Sequence, residues 1–142
     1  NITGNVSYDS DNHDLMCRIR AEKIQKIAQE IPALEIDGDS SGDLLIVGWG
    51  STNGSIKQAI SNVRKLGKKV SHVHLHHINP LPNDLEEILR SFKNIIIPEI
   101  NLGQLSILLR DKFVIDTHGV NVMRGQPLRV QDIQDKIISL LK

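Results

Sequence analysis

The sequence predicts an α/β fold, a parallel sheet covered by helices, and three observations carry the prediction. Continuous apolar runs such as Leu44-Leu45-Ile46-Val47 and Ile95-Ile96-Ile97 suit strands buried on both faces. Between those runs lie segments whose apolar residues recur at helical spacing, so strand and helix signals alternate along the chain. Ile, Leu, Val and Phe make up 47 of the 142 residues, which supplies one hydrophobic core for one domain of ordinary size.

The elements follow in order. Residues 1–10 are polar and aperiodic and read as a tail. From Asp11 to Ile31 no Gly or Pro intervenes, and Leu15, Ile19, Ile24, Ile27 and Ile31 form a drifting helical stripe that Pro32 ends. Such a stripe is expected to pack only partly on the sheet. Residues 33–37 alternate with period two and give a short edge strand before the turn at Gly38-Asp39-Ser40-Ser41-Gly42. The strands that follow are expected at 43–49, 69–76, 94–99 and 113–117. Helices are expected between them on Ile56, Ile60 and Val63 with a stop near Gly67, on Leu85, Ile88, Leu89 and Phe92 with Asn83 or Asp84 as N-cap, and on Leu102, Leu105, Leu108 and Leu109. A last helix carries Val130, Ile133, Ile137 and Leu141.

Composition excludes several functions. Lys plus Arg equals Asp plus Glu at 17 each, so no net charge attracts nucleic acid or an anionic membrane. No apolar run reaches the ~18 residues of a membrane span, and no signal sequence opens the chain, so a cytoplasmic location is expected. The single Cys17 can form neither an internal disulfide nor a multi-thiolate metal site. Without an initiator Met, and opening on a polar stretch, the chain reads as a fragment of something longer.

The strongest local signal is the glycine-rich turn from Gly48 to Gly54, between the first central strand and its helix, where open α/β sheets bind ligands. Its spacing, G-x-G-x-x-x-G, is neither the dinucleotide nor the P-loop pattern, and a plain strand-to-helix turn explains it equally. His72, His74, His76 and His77 cluster on one strand, but rings about 6.6 Å apart along a strand cannot close on one metal. Ser51, Asp116 and His118 are the ingredients of a triad without its G-x-S-x-G turn. Cys17, near His13, reads as an inert thiol, and the sequons at Asn1, Asn5 and Asn53 are of the chance kind.

Four pieces in order carry a resemblance. They are Leu44-Leu45-Ile46-Val47-Gly48-Trp49-Gly50-Ser51-Thr52, then His74-Leu75-His76-His77-Ile78-Asn79-Pro80-Leu81-Pro82, then Pro98-Glu99-Ile100-Asn101-Leu102-Gly103-Gln104-Leu105, then Gly125-Gln126-Pro127. Together they resemble the C-terminal domain of the alpha subunit of 2-oxoacid:ferredoxin oxidoreductases, closest to the 2-oxoglutarate branch. The stretch from Tyr8 to Ile24 resembles the segment joining this domain to the preceding one, and Leu128 stands where the family pattern has Phe.

The resemblance implies a transketolase C-terminal fold: a three-layer α/β/α sandwich whose five-stranded sheet has order 1-3-2-4-5 with strand 1 antiparallel. It divides the chain into a tail and linker helix, residues 1–31, and the α/β domain, residues 32–142. It implies an enzyme that decarboxylates a 2-oxoacid on thiamine diphosphate and magnesium, passes electrons through iron–sulfur clusters to ferredoxin and forms acyl-CoA. The expected partners are the preceding domains of the same subunit, the beta subunit and ferredoxin. No catalytic, cofactor or metal residue is expected in this chain, which takes an assembly role and is inactive alone. The alternative is a free-standing module binding a small anion or nucleotide at the 48–54 turn.

In that strand order the connections reverse between 43–49 and 94–99, which opens a crevice there. Its expected residues are Gly48, Gly50, Ser51, Thr52, Asn53, Gly54, Glu99, Asn101 and Gln104. Ser51, Thr52 and Asn53 are expected to meet Asn101 and Gln104 across it and to serve contact within the larger enzyme.

Overall fold

A computed structural model describes residues 4–141, so the sequon at Asn1 and the first three tail residues lie outside the described residues. Two compact units emerge. The first comprises residues 4–33 and 77–83, the second residues 34–76 and 84–141.

In the first unit, helix α1 spans Ser10–Ile27, with the Asp9 carboxylate accepting from the Asn12 N–H at 2.7 Å as N-cap. It stops short of the expected Ile31, because Ala28 to Glu30 form turns before Pro32. No residue of α1 is buried, and Leu15, Ile19, Ile24 and Ile27 all face solvent. Asn83 donates its side-chain amide to the Ala28 carbonyl at 3.0 Å, which ties the 77–83 loop to the helix end.

The second unit holds the sheet. Its strands are β1 (Ile36–Asp37), β2 (Gly42–Trp49), β3 (Ser71–Leu75), β4 (Phe92–Glu99) and β5 (His118–Asn121), in the order β1-β3-β2-β4-β5. Only β1 runs antiparallel, against β3. That is the expected topology. β2 is central, and Leu44 to Val47 are at most 1 % exposed, as a strand covered on both faces requires.

Helix α2 (Asn53–Lys65) buries Ile56, Ala59, Ile60 and Val63. It ends in a Schellman motif: Gly67, at φ 76°, donates to the Arg64 carbonyl and Lys68 to that of Val63. Helix α3 (Leu85–Arg90) begins after Asp84, whose carboxylate instead takes the Leu34 N–H at 2.7 Å. Helix α4 (Gln104–Phe113) follows β4, and helix α5 (Val130–Leu140) packs beside α2. Ile133 and Ile137 of α5 join Leu44, Ile46, Ile56 and Ile60 in one cluster, with Leu128 buried among them.

Three expectations need correction. Phe92, expected on α3, instead opens β4. Residues 113–117 are not a strand: Phe113 is the last residue of α4, and Val114 caps it in the left-handed region at φ 52°, ψ 51°. The fifth strand is His118–Asn121, a partly exposed edge whose burial alternates. The inward stripe of α4 is also different. Leu105, Ser106, Leu109 and Phe113 are buried, whereas Leu102 and Leu108 are exposed.

Candidate functional site

The ladder between β2 and β4 pairs Leu44 with Asn94 and Leu45 with Ile95, and its last pair is Ile46 with Ile96. β2 continues to Trp49 and β4 to Glu99, so the two strands part over their last three residues. Past that point β4 pairs with β5, from Ile96–His118 to Glu99–Asn121. Pro98, which has no N–H to donate, falls in this stretch where β2 is no longer its neighbour. The strands therefore part where the connections reverse, with the 48–54 turn on the β2 side and the 99–106 segment on the β4 side.

The β2 wall is tight. A Cβ on Gly48 would lie 2.7 Å from Ile56 Cδ1, 2.8 Å from His74 Nδ1 and 3.1 Å from His72 Nε2, so only glycine lets both rings and α2 close on β2. Gly50, at φ 57°, turns the chain into a 3-10 turn, Gly50–Thr52. The Thr52 hydroxyl accepts from the Trp49 N–H at 3.2 Å and donates to the Trp49 carbonyl at 2.8 Å, folding the turn on itself. Gly50, Ser51 and Gly54 are exposed and Asn53 is half-buried.

Beneath this turn the histidines of β3, and His76 just after it, line up edge to face. His72 and His74 have ring centroids 5.8 Å apart, His74 and His76 5.4 Å. His72 is buried, and its Nε2, like His74 Nδ1, is a buried nitrogen without a hydrogen-bond partner. Burial first, then the neighbouring His74, lowers the His72 pKa to about 4. Burial and His76 likewise lower His74, against a backbone hydrogen bond with Gly50 that favours its charged form. Both rings are therefore neutral at pH 7. Among the described residues no three His, Cys, Asp or Glu side chains converge as a metal site.

The β4 wall is saturated. Glu99 is fully buried, and its two oxygens accept from the N–H groups of Leu105 at 2.9 Å and Ser106 at 3.0 Å. Asn101 Oδ1 accepts from Gly103 at 2.7 Å and Gln104 at 3.0 Å. The open N–H groups of the first turn of α4 thus belong to the protein's own side chains, and the carboxylate sits where the helix dipole favours negative charge. A buried hydroxyl pair, Ser106 and Thr117 at 2.7 Å, ties α4 to the residues before β5.

The two segments keep their hydrogen bonds to themselves. No hydrogen bond joins Ser51, Thr52 or Asn53 to Asn101 or Gln104 among the described residues. Nor is there a triad: Asp116 pairs with Arg110 at 3.2 Å and accepts from the Thr117 N–H, Ser51 is exposed on its turn, and His118 begins β5. Cys17 Sγ lies 3.9 Å from the His13 ring on exposed α1. Sequence reasoning missed that Glu99 is a helix cap. Its signal was an acidic residue at a strand end shortly before a helical run.

Comparison with known proteins agrees with this architecture. The family model of pyruvate:ferredoxin oxidoreductase core domain II matches residues 42–133. The 2-oxoglutarate oxidoreductase subunit KorA of Mycobacterium tuberculosis is 43% identical over 135 residues, which is 94% of this chain and 20% of that protein. The structure of the 2-oxoglutarate:ferredoxin oxidoreductase from Magnetococcus marinus, with 2-oxoglutarate, coenzyme A and succinyl-CoA bound, superposes with a TM-score of 0.89 at 28% identity. The match covers 99% of this chain and 25% of that one. A split-gene transketolase, at 19% identity and a TM-score of 0.57 over 78% of this chain, shares the fold alone.

Proposed function

The chain belongs to the pyruvate:ferredoxin oxidoreductase core domain II family, and from that membership we propose that it is an assembly domain in the alpha subunit of a 2-oxoglutarate:ferredoxin oxidoreductase. The observation that carries this reading is the 43% identity to a 2-oxoglutarate oxidoreductase subunit over 94% of the chain. Such an enzyme would oxidatively decarboxylate its 2-oxoacid to the acyl-CoA and pass the electrons to ferredoxin. Its beta subunit and the other domains of its own subunit would be this domain's partners. The division at residue 31 between linker helix and α/β domain is part of the same proposal.

The donor set does not fit the family's cofactors, which supply the decarboxylation and electron-transfer chemistry of the complete enzyme. One thiol cannot hold an iron–sulfur cluster, and the N–H groups of α4 that would suit a pyrophosphate already bind Glu99 and Asn101. We therefore assign this chain no catalytic step. In this reading the buried Gly48, Thr52 and Glu99 build the walls of the crevice, Gly50, Ser51, Gly54 and Gln104 offer the accessible surface for contact, and Asn53 keeps its Oδ1 buried.

The test uses the complete alpha subunit purified with its beta subunit. The expected result is coenzyme A-dependent reduction of ferredoxin with 2-oxoglutarate, at several times the rate with pyruvate. No turnover with any 2-oxoacid would overturn the reading, and a preference for pyruvate would reassign the substrate.

A further inference from the structure

Charge is unevenly distributed along a chain whose total is zero. Residues 44–83 contain no Asp or Glu, yet they carry Lys57, Arg64, Lys65, Lys68 and Lys69, all on α2 or just after it. Lys57, Ser61 and Lys65 are exposed and four residues apart, so they form one line on the outer side of α2, about 12 Å long at 1.5 Å per residue. The line borders an open furrow of about 620 Å³ that Asp37, Ile60 and Arg64 also line.

The carboxylates around the furrow are already engaged. Asp37 pairs with Arg64 at 2.9 Å, and Arg64 donates its other N–H groups to the carbonyls of Asp37 and Val70. Asp39 stands 3.8 Å from Lys69, a loose contact between exposed groups, while Asp132 and Asp135 of α5, which packs beside α2, hold Arg129 and Gln131. Lys68 donates to the Leu141 carbonyl and keeps its charge. Among the described residues neither Lys57 nor Lys65 has a carboxylate or hydrogen-bond partner.

A compact anion finds no cradle here. The α2 residues of the furrow sit in the body of the helix, where backbone N–H groups are used within it, so no set of convergent donors is on offer. Flexible ammonium groups two helical turns apart match carboxylates spread over a surface instead. Lysine is depleted from permanent interfaces, whereas small charged surfaces serve partners that bind and leave.

We propose that the furrow bordered by Lys57 and Lys65 receives the acidic face of a separate protein that binds and leaves, the electron-accepting ferredoxin of the proposed reaction. The identity of the partner rests on that functional reading. With one thiol the chain holds no cluster, so the furrow anchors the carrier and the electron reaches it from elsewhere in the enzyme.

Sparse amine labelling of the complete alpha–beta enzyme, read by mass spectrometry, tests the proposal with an acidic ferredoxin as probe. Lys57 and Lys65 should label as open amines in the enzyme alone, about fivefold more slowly with excess ferredoxin at about 20 mM salt, and freely again at about 300 mM, where screening shortens the reach of charge. Labelling already blocked before ferredoxin is added would overturn the proposal by giving the furrow to another subunit. Lysines that stay open at low salt with ferredoxin present would overturn it too. The double variant Lys57→Gln, Lys65→Gln should raise the ferredoxin KM about threefold and leave the rate with methyl viologen unchanged, while Lys57→Arg, Lys65→Arg keeps the parent KM. The same KM in all three proteins would again overturn the docking. Ferredoxin reduction with 2-oxoglutarate separates this from the functional reading: turnover with unprotected lysines removes only the docking, whereas protection without turnover removes only the function.

Discussion

The two walls of the crevice end neighbouring parallel strands, yet they solve the same problem in opposite ways. On the β4 wall no buried side-chain oxygen or nitrogen of the described residues lacks a partner, and Glu99 and Asn101 take the N–H groups that open α4. On the β2 wall two imidazole nitrogens, His72 Nε2 and His74 Nδ1, are buried without partners, and the backbone is pressed against them at Gly48. The first wall is held by electrostatics and hydrogen bonds, the second by close packing of neutral rings. The difference shows two ways in which the end of a parallel strand is closed. One wall gives its anion-binding groups to its own carboxylate, and the other fills its space with side chains.

The largest expected effect breaks the β4 wall. Glu99→Ala leaves the Leu105 and Ser106 N–H groups unpaired in the interior and opens a void where the carboxylate sat, costing about 3–4 kcal/mol. Chemical denaturation should show it as a lower midpoint at unchanged slope. A loss below about 1 kcal/mol would mean that water replaces the carboxylate and that the wall is not held as described.

Slightly smaller is the response of the β2 wall to acid. The His72 pKa is depressed, to about 4 in the fold against 6.5 unfolded, so between those values the unfolded chain binds a proton that the native chain refuses. Stability from this ring is fully present above pH 6.5 and is lost as the pH falls toward 4, by about 3 kcal/mol at 1.36 kcal/mol per pKa unit. His74, also depressed, acts in the same direction. Urea titrations across this range, compared with His72→Phe, measure it: the variant should lose much of the slope. An identical slope in both proteins would place the acid sensitivity elsewhere.

The sheet was legible because its strands are buried on both faces and its turns carry glycine, as at Leu44–Val47 and Gly67. The fifth strand was not. Phe113-Val114-Ile115 has the composition of a strand, but Phe113 is needed inside α4, and the pairing passes to His118–Asn121, an edge too exposed to carry an apolar run. The parting of β2 from β4 was legible from strand order, whereas the roles of the residues around it were not. Glu99 and Asn101 look like site residues in sequence because polar groups at a strand end either bind a ligand or cap a helix, and only coordinates distinguish the two. The histidine row was visible as a pattern, but the approach of its rings to Gly48 depends on strand register.

The smallest effects lie within the glycine turn itself, where three glycines in one motif have different reasons to be there. Gly48→Ala forces a methyl against Ile56, His74 and His72, and overpacking of this kind costs about 2 kcal/mol. Gly50→Ala meets open space but must hold φ 57°, which costs about 1 kcal/mol. Gly54 is helical, in the first turn of α2, with nothing within 4 Å of an added Cβ, so Gly54→Ala should stabilise by about 0.5–1 kcal/mol through helix propensity. Thermal melts of the three variants give the order, with Gly48→Ala lowest and Gly54→Ala above the parent. Were all three equally damaging, the turn would be needed for its shape as a whole. If Gly54→Ala stabilises the domain but impairs assembly of the proposed alpha–beta enzyme, then this exposed glycine is kept for a partner's close approach rather than for the fold.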